Sequence, residues 1–232
     1  MALSKKFYPV IHCINPLTEN GISHALVNTK IALRNGADGV FLIGHGLAAT
    51  AVAYIYDHVR RGNPEAWIGI NFLDIDPSEE GFRFEAFLKP LLDRCVDLNA
   101  LWFDKLPKER LPVNPRTEVF GGVAFKYINS GATGEALLRE CSHALSVVDV
   151  ITTSGDKTGQ PPNVEKMEEI STYTHGQATR AIASGLTDKN IRVLGNYAER
   201  FLVSTSICRT DTNGHDYLVP EKVRAFKEAV PQ

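Results

Sequence analysis

The amino-acid sequence predicts an α/β protein that folds as a single (β/α)8 barrel over residues 1–232. Short apolar segments of strand length alternate with longer segments of helical spacing along the chain. The clearest strand, at residues 147–153, is a β-branched run that ends abruptly in a polar loop containing glycine. Strands buried on both faces have this continuous apolar character, which is typical of parallel sheets covered by helices.

Eight segments are predicted as strands because each is short, apolar and rich in β-branched or aromatic residues. Most are separated by enough chain for one crossover helix, as a parallel barrel requires. The predicted strands cover residues 8–13, 39–43, 67–73, 98–103, 119–127, 147–153, 179–183 and 201–204.

Helices are predicted where apolar residues recur at intervals of three and four. The first should end at Gly36, because glycine readily adopts the left-handed conformation that follows a helix. Pro90 interrupts the third, which should therefore kink or divide into two pieces. The predicted helices cover residues 22–35, 48–61, 84–96, 134–146, 164–174, 188–196 and 220–230.

The fourth crossover is predicted to be irregular. Pro107, Pro112 and Pro115 lie between residues 104 and 118 and leave no room for a full helix. An open doubly wound sheet shows the same alternation of strands and helices, so it is the alternative architecture. No linker, low-complexity segment or block of charge indicates a second domain.

Composition indicates an ordinary globular protein able to bury a large core, with 44% hydrophobic and 22% charged residues. The formal net charge of -2 provides no basic surface, so nucleic acid is not an expected partner. The sequence has no apolar run of membrane-spanning length and no signal-peptide pattern at its start. We therefore expect no transmembrane segment and a cytoplasmic location.

The cysteines are scattered and form no C-x-x-C pair. This spacing speaks against a structural zinc site and against a redox dithiol. Unpaired cysteine is often interior, so buried free thiols are predicted at positions 13, 95, 141 and 208.

The loop after the sixth strand is the first candidate for chemistry. Ligands of α/β barrels lie at the carboxyl ends of the strands, and this loop begins with Ser154, Asp156 and Thr158. Ser154 and Thr158 are candidates for binding substrate, and Asp156 is a candidate base or hydrogen-bond acceptor. A solvated surface loop of the same composition is the alternative.

A phosphate site is predicted between the ends of the seventh and eighth strands. Ser184 and Gly185 follow the seventh strand and should open into a helix near Asp188, while Thr205 and Ser206 follow the eighth. Small residues let backbone amides approach phosphate oxygens, and barrel phosphate sites commonly use these two loops. The alternative is that these residues only form a tight turn and a helix cap.

Lys126 ends a predicted strand that is otherwise apolar. If it faces the barrel mouth, it is a candidate for proton transfer, carbonyl binding or phosphate pairing; if it faces outward, it only lies between helices. Other polar residues fall at or just past predicted strand ends. The further candidates are Asp74 and Asp104 as catalytic carboxylates, and His12, Asn15, His45 and Asn71 as substrate-binding residues.

No cofactor can be named from the sequence. His12 and His45 could meet Asp104 in space, but no compact histidine spacing indicates a metal site. No metal ligand is assigned, and a divalent ion held by carboxylates is the less favoured alternative.

The chain resembles the BtpA/SgcQ family of TIM-barrel proteins over nearly its whole length. The most specific matches are the segments at residues 154–162, 183–191 and 203–207, with a further match at 217–226. The first contains the pattern S-G-x-x-T-G. Family members often carry an acidic residue near the end of the second strand, where this chain has Ile-Gly-His-Gly at 43–46. The resemblance implies a barrel with a polar site but no particular reaction.

The function predicted from these features is an enzyme acting on a small phosphorylated metabolite. Proton transfer, isomerisation, aldol-type cleavage and glycosyl transfer are the reactions that remain open. A non-catalytic assembly or regulatory factor is one alternative, since one family member takes its name from photosystem I biogenesis. A metal-dependent hydrolase is another. Association into homo-oligomers is also left open, with Phe82, Phe84 and Phe87 as apolar contacts.

Overall fold

The computed structural model describes residues 4–174 and 176–231. Eight parallel strands close into a barrel in chain order, with the eighth paired to the first, so the predicted (β/α)8 fold is confirmed. The barrel strands are β1 (Lys6–His12), β2 (Val40–Ile43), β3 (Ile68–Asn71), β4 (Ala100–Phe103), β5 (Glu118–Gly122), β6 (Val150–Thr153), β7 (Thr179–Ala183) and β8 (Arg200–Val203).

Helices surround this barrel. They are α1 (Gly21–Arg34), α2 (Ala49–Gly62), α3 (Phe84–Phe87), α4 (Lys89–Leu92), α5 (Gly134–Val147), α6 (Val164–Thr174), α7 (Ile191–Leu194) and α8 (Pro220–Ala229). A 3₁₀ turn, Thr205–Ile207, follows β8. An antiparallel hairpin that the sequence did not predict, β9 (Cys208–Thr210) and β10 (Asp216–Leu218), comes next.

Side chains of each strand alternate between the barrel interior and the layer beneath the helices. In β1, Tyr8 belongs to the interior cluster and Phe7 to the outer cluster. Phe41 and Phe120 also belong to the interior cluster, with ring centroids 5.2 Å apart. Gly69 makes room for this packing, because a Cβ there would overlap the Phe41 ring. The interior is therefore a packed core rather than a pore.

The irregular crossovers follow the prolines. Residues 104–117 contain no helix, which confirms the predicted fourth crossover. The third predicted helix is two short helices that meet at Leu88, and Pro90 lies in the first turn of α4. Proline is tolerated there because the first amides of a helix have no partner within it.

The fifth strand is shorter than predicted. β5 ends at Gly122, and Lys126 lies in the following turn instead of in the strand. Ala124 and Tyr127 have φ angles of 45° and 62°, which a strand cannot accommodate. The amide of Ala124 donates to the Glu140 carboxylate on α5 over 2.7 Å. The apolar composition of this segment reflects burial in a turn.

The helix predicted at 188–196 is also shorter, because α7 covers only Ile191–Leu194. The side chain of Asn190 closes the preceding turn with two hydrogen bonds. The Thr187 amide donates to Asn190 Oδ1 over 2.8 Å, and Asn190 Nδ2 donates to the Gly185 carbonyl over 2.9 Å. Such local side-chain bonds compete with helix formation.

All four cysteines are buried and free, as predicted. Among the residues that the structure describes, no helix is both long and apolar enough to cross a membrane. In the same part of the chain, no three His, Cys, Asp or Glu side chains come together in a group that could hold a metal ion.

Candidate functional site

A cavity of about 240 Å³ opens at the carboxyl ends of the strands, and we call it the mouth cavity. Loops after β7 and β8 form one side of it, and the rest comes from β1, β2 and β4 and from the segments that follow β2, β5 and β6. The residues predicted from sequence that line it are His12, His45, Lys126, Thr158, Ser184, Gly185, Thr205 and Ser206.

Backbone amides dominate the β7–β8 side of the mouth cavity. Within the described chain, the amides of Gly185, Thr205 and Ser206 have no hydrogen-bond acceptor. The last two open the 3₁₀ turn, whose first amides have no partner inside the turn. The predicted contribution from a longer helix near Asp188 is wrong, because α7 is a single turn that begins at Ile191.

The serine side chains in these loops hold the loops in shape. Ser184 Oγ accepts a hydrogen bond from the Gly159 amide over 2.8 Å, and Ser206 Oγ donates to the Leu186 carbonyl over 2.7 Å. Ser184 has a φ angle of 98°, an unusual value for a residue with a side chain. Backbone strain of this kind often accompanies functional loops.

Gly185 joins the β7 loop to the loop after β6. Its φ angle is 68°, and a Cβ at this position would overlap the backbone nitrogen of Pro161. Glycine is therefore required both by the backbone conformation and by the close approach of a second chain segment. A bulky substitution here would disturb the loops as well as any ligand.

His12 and His45 approach each other at the mouth, with ring centroids 5.0 Å apart. His12 Nδ1 lies 3.3 Å from Asp216 Oδ2 on β10. Burial lowers the pKa of His12, His45 lowers it further, and Asp216 opposes both effects. The pKa of His45 is also lowered, first by burial and then by Lys126. These effects favour neutral imidazoles near neutral pH.

The ammonium of Lys126 lacks any hydrogen-bond acceptor or ion-pair partner among residues 4–174 and 176–231. Its Nζ lies 5.6 Å from the centroid of the Phe125 ring, close enough for a cation–π contact. The Lys126 amide donates to Ser154 Oγ over 2.9 Å, which fixes the backbone beneath it. An unpaired cation at a cavity wall is suited to an anionic ligand.

Asn71 and Asp104 lie beside the mouth cavity, in a second cavity of about 220 Å³ that we call the side cavity. Asn71 Nδ2 donates to Asp104 Oδ1 over 3.1 Å. Burial raises the pKa of the Asp104 carboxyl, and Lys126 opposes that shift. Lys126 borders both cavities, so it lies between Asn71 and Asp104 on one side and the loops after β7 and β8 on the other.

Four predicted site residues lie elsewhere. Asp156 is exposed and lines a separate cavity, so this candidate base does not lie at the mouth cavity with Lys126. Asp74 accepts a hydrogen bond from the Ala49 amide at the start of α2, over 2.9 Å. Asn15 accepts one from the Leu17 amide over 3.0 Å. Ser154 is buried and supports the loops through its own bonds rather than lining the mouth cavity.

Sequence reasoning missed Asp216, which reaches His12 from the unpredicted hairpin. The sequence does contain a signal for this hairpin, because Asn213-Gly214 is a typical hairpin turn between two short extended segments. The hairpin is anchored by α1. His24 Nε2 contacts the Asp216 carbonyl at 2.7 Å, and the Leu218 amide donates to Asn28 Oδ1 over 2.7 Å.

Lys166 and Trp102 were also missed. Lys166 on α6 is buried and donates to the carbonyls of Ala124 and Ser154 over 2.8 and 2.9 Å, which ties the β5 and β6 loops together. Burial lowers the pKa of this lysine. Trp102 lines the mouth cavity, and its indole Nε1 has no hydrogen-bond partner within the described residues.

No protein-family model matches the sequence, and no curated protein matches it. Solved structures do resemble it. Thiamine phosphate pyrophosphorylase from Pyrococcus furiosus superposes with a TM-score of 0.60 at 12% identity, covering 97% of this chain and 94% of its own. Phosphoribosyl anthranilate isomerase from Thermotoga maritima gives 0.63 at 12% identity, covering 97% of this chain and 98% of its own.

A third similar structure is (S)-3-O-geranylgeranylglyceryl phosphate synthase from Thermoplasma acidophilum in complex with its substrate sn-glycerol-1-phosphate. It superposes with a TM-score of 0.63 at 11% identity, covering 98% of this chain and 93% of that one. At such identities the likeness shows the fold, and the chain is a TIM barrel. The resemblance to the BtpA/SgcQ family stays a prediction.

Proposed function

We propose that this protein is an enzyme acting on a small phosphorylated metabolite, with the phosphate bound on the β7–β8 side of the mouth cavity. The observation that supports the proposal is that Gly185, Thr205 and Ser206, whose backbone amides have no acceptor in the described chain, line one cavity together with Lys126, whose ammonium is unpaired. The three similar barrels are all named for phosphorylated compounds, which supports the same ligand class. The sequence motifs further favour membership of the BtpA/SgcQ family.

The phosphate would be held mainly by the backbone. Loops after the seventh and eighth strands, with the start of a short extra helix, form a recurrent phosphate site in barrels of this type. Here the amide of Gly185 and those of Thr205 and Ser206 take these positions. Each N–H bond to a phosphate oxygen is charge-assisted and stronger than a neutral hydrogen bond.

His12 is the residue proposed for proton transfer. Its contact with the Asp216 carboxylate favours a proton on Nδ1, which leaves Nε2 as the basic nitrogen. The lowered pKa of His12 keeps that nitrogen unprotonated near neutral pH. Once it accepts a proton, Asp216 stabilises the imidazolium. The geometry therefore supports proton abstraction from a substrate carbon or hydroxyl beside the bound phosphate.

The test is binding of inorganic phosphate and glycerol phosphate, measured by isothermal titration calorimetry on wild type and on Lys126→Met. Loss of one charged contact should weaken phosphate binding by about tenfold or more, given about 1.5–3 kcal/mol for a hydrogen bond to a charged group. The melting temperature should change little, because the ammonium has no hydrogen-bond or ion-pair partner in the described chain and its cation–π contact with Phe125 is a weak one.

Lys157→Met is the matched control. Lys157 is an exposed lysine of the neighbouring loop that does not line the mouth cavity, so this variant removes the same charge without removing the contact. We expect it to bind phosphate within about twofold of wild type, since exposed charges act weakly through solvent. Equal binding by Lys126→Met and wild type would contradict the assignment of Lys126 to the bound phosphate.

A further inference from the structure

The side cavity has a different character from the mouth cavity. Its volume is about 220 Å³, and apolar side chains of Phe72, Leu73, Ile75 and Ile128 form much of its wall. Ile128 is 47% exposed, so an apolar surface faces solvent at the rim. Cavities of about 150 Å³ lined by apolar groups are large enough to hold benzene. The side cavity can therefore accept a ring-sized group.

Two carboxylates, Asp76 and Asp104, line the side cavity, and Asp76 already accepts from Ser78 and Lys105. Asp104 Oδ1 accepts from Asn71, while no donor within the described chain reaches Asp104 Oδ2. Asp104 is half-buried, so this oxygen is free to accept a hydrogen bond from a ligand hydroxyl or N–H. Apolar walls with a small number of placed polar groups are typical of small-molecule subsites.

Lys126 connects the two cavities, because its side chain borders both. A second link crosses the rim above it. Tyr127 lines the side cavity, Thr158 lines the mouth cavity, and the Thr158 amide donates to the Tyr127 hydroxyl over 3.1 Å. The two spaces therefore adjoin at Lys126.

We propose that the side cavity binds the second half of the substrate, an apolar ring-sized group carrying one hydroxyl or N–H that Asp104 accepts. This inference rests on the proposed function, since it takes the phosphate end of the same molecule to lie on the β7–β8 side. It names the substrate class more narrowly: a phosphomonoester with an apolar ring rather than a free sugar phosphate.

The experiment measures dissociation constants by calorimetry for four kinds of probe. These are inorganic phosphate, glycerol phosphate, linear alkyl phosphates, and phenylalkyl phosphates of increasing linker length. We expect the best phenylalkyl phosphate to bind about tenfold or more tighter than inorganic phosphate, because burial of a ring removes much apolar area from water. Glycerol phosphate and the linear alkyl phosphates should bind only slightly more tightly than inorganic phosphate.

Ile128→Ser tests the location. Ile128 is partly exposed in a loop, so the variant should fold, and it should reduce the gain from the phenyl ring by about fivefold through loss of apolar contact. Its affinity for inorganic phosphate should equal that of wild type. Val193→Ser on α7 is the matched control, since Val193 is 54% exposed and lines neither cavity.

The outcomes separate this inference from the proposed function. If inorganic phosphate binds but a phenyl ring adds nothing, or adds as much in Ile128→Ser as in wild type, the inference is wrong and the phosphate site stands. Tighter binding of glycerol phosphate than of every phenylalkyl phosphate also overturns it. If inorganic phosphate fails to bind wild type, the proposed function is overturned and this inference with it.

Discussion

The two sides of the barrel mouth use different chemistry. On the β7–β8 side, Gly185, Thr205 and Ser206 have backbone amides without an acceptor in the described chain, and their loops are fixed by close packing and internal hydrogen bonds. On the β3–β5 side, ionisable and amide side chains line the cavities, among them Asn71, Asp104 and Lys126. Backbone recognition depends on loop conformation, whereas side-chain chemistry depends on charge and protonation.

This difference separates binding from reaction in the proposed enzyme. Amides are permanent donors with no pKa near neutrality, so phosphate binding on the β7–β8 side should respond mainly to changes in loop geometry. His12 and His45 lie beside the mouth with lowered pKa values, so proton transfer should respond to pH. Substitutions on the two sides should therefore differ in stability, affinity and pH dependence.

The largest effect on folding should come from Gly185→Val. The substitution adds a side chain where φ is 68° and where a Cβ overlaps Pro161, so we expect a loss of about 3 kcal/mol or more in the free energy of unfolding. Urea denaturation measures it. Gly214→Val is the matched control, because Gly214 has a φ of 82° but open space around it.

The control should lose only about 1–2 kcal/mol, the energy of placing a side chain in the left-handed region. If both variants lose the same amount, close packing between the β7 and β6 loops does not hold the phosphate side in place. The proposed difference between a β7–β8 side held by packing and a β3–β5 side that supplies chemistry would then be wrong.

Asp216→Asn should have a smaller effect, which falls on the pKa of His12 rather than on the free energy of unfolding. The Asp216 carboxylate raises the pKa of His12, so its removal should move the His12 titration to still lower pH. Proton NMR of the imidazole follows this shift, with Asp188→Asn, an exposed carboxylate outside the mouth cavity, as control. A His12 titration that is unchanged by Asp216→Asn would remove Asp216 from the proposed proton transfer.

The lowered pKa of His12 also determines how the free energy of unfolding depends on pH. The folded state holds His12 with a lowered pKa, so it binds fewer protons than the unfolded state as pH falls below about 6.5. The contribution of neutral His12 to stability is therefore present above the unfolded pKa and is lost as pH falls toward the folded pKa.

The fold was accessible from sequence because buried parallel strands leave continuous apolar runs, and prolines marked the irregular fourth crossover. The same apolar signal extended β5 too far, since residues 123–125 are buried in a turn instead of a strand. Lys126, His12 and His45, which were predicted at or just past strand ends, line the mouth cavity, although Lys126 lies in the turn after β5.

Asp156 and Asp74 also follow predicted strands but do not line the mouth cavity, because the direction of a loop after a strand depends on contacts that spacing does not encode. Asp74 turns back to the first amide of α2, and Asp156 lies in an exposed loop facing another cavity. Asp216 was missed because it lies on a hairpin strand 204 positions after His12 in the chain. Long-range approach of this kind requires the tertiary structure.

The most direct test of the central claim is a crystal structure of the protein grown or soaked in inorganic phosphate. We expect a phosphate within hydrogen-bond distance of the amides of Gly185, Thr205 and Ser206, with the ammonium of Lys126 turned toward it. Those amides capped instead by side chains, or phosphate bound only outside the mouth cavity, would contradict it.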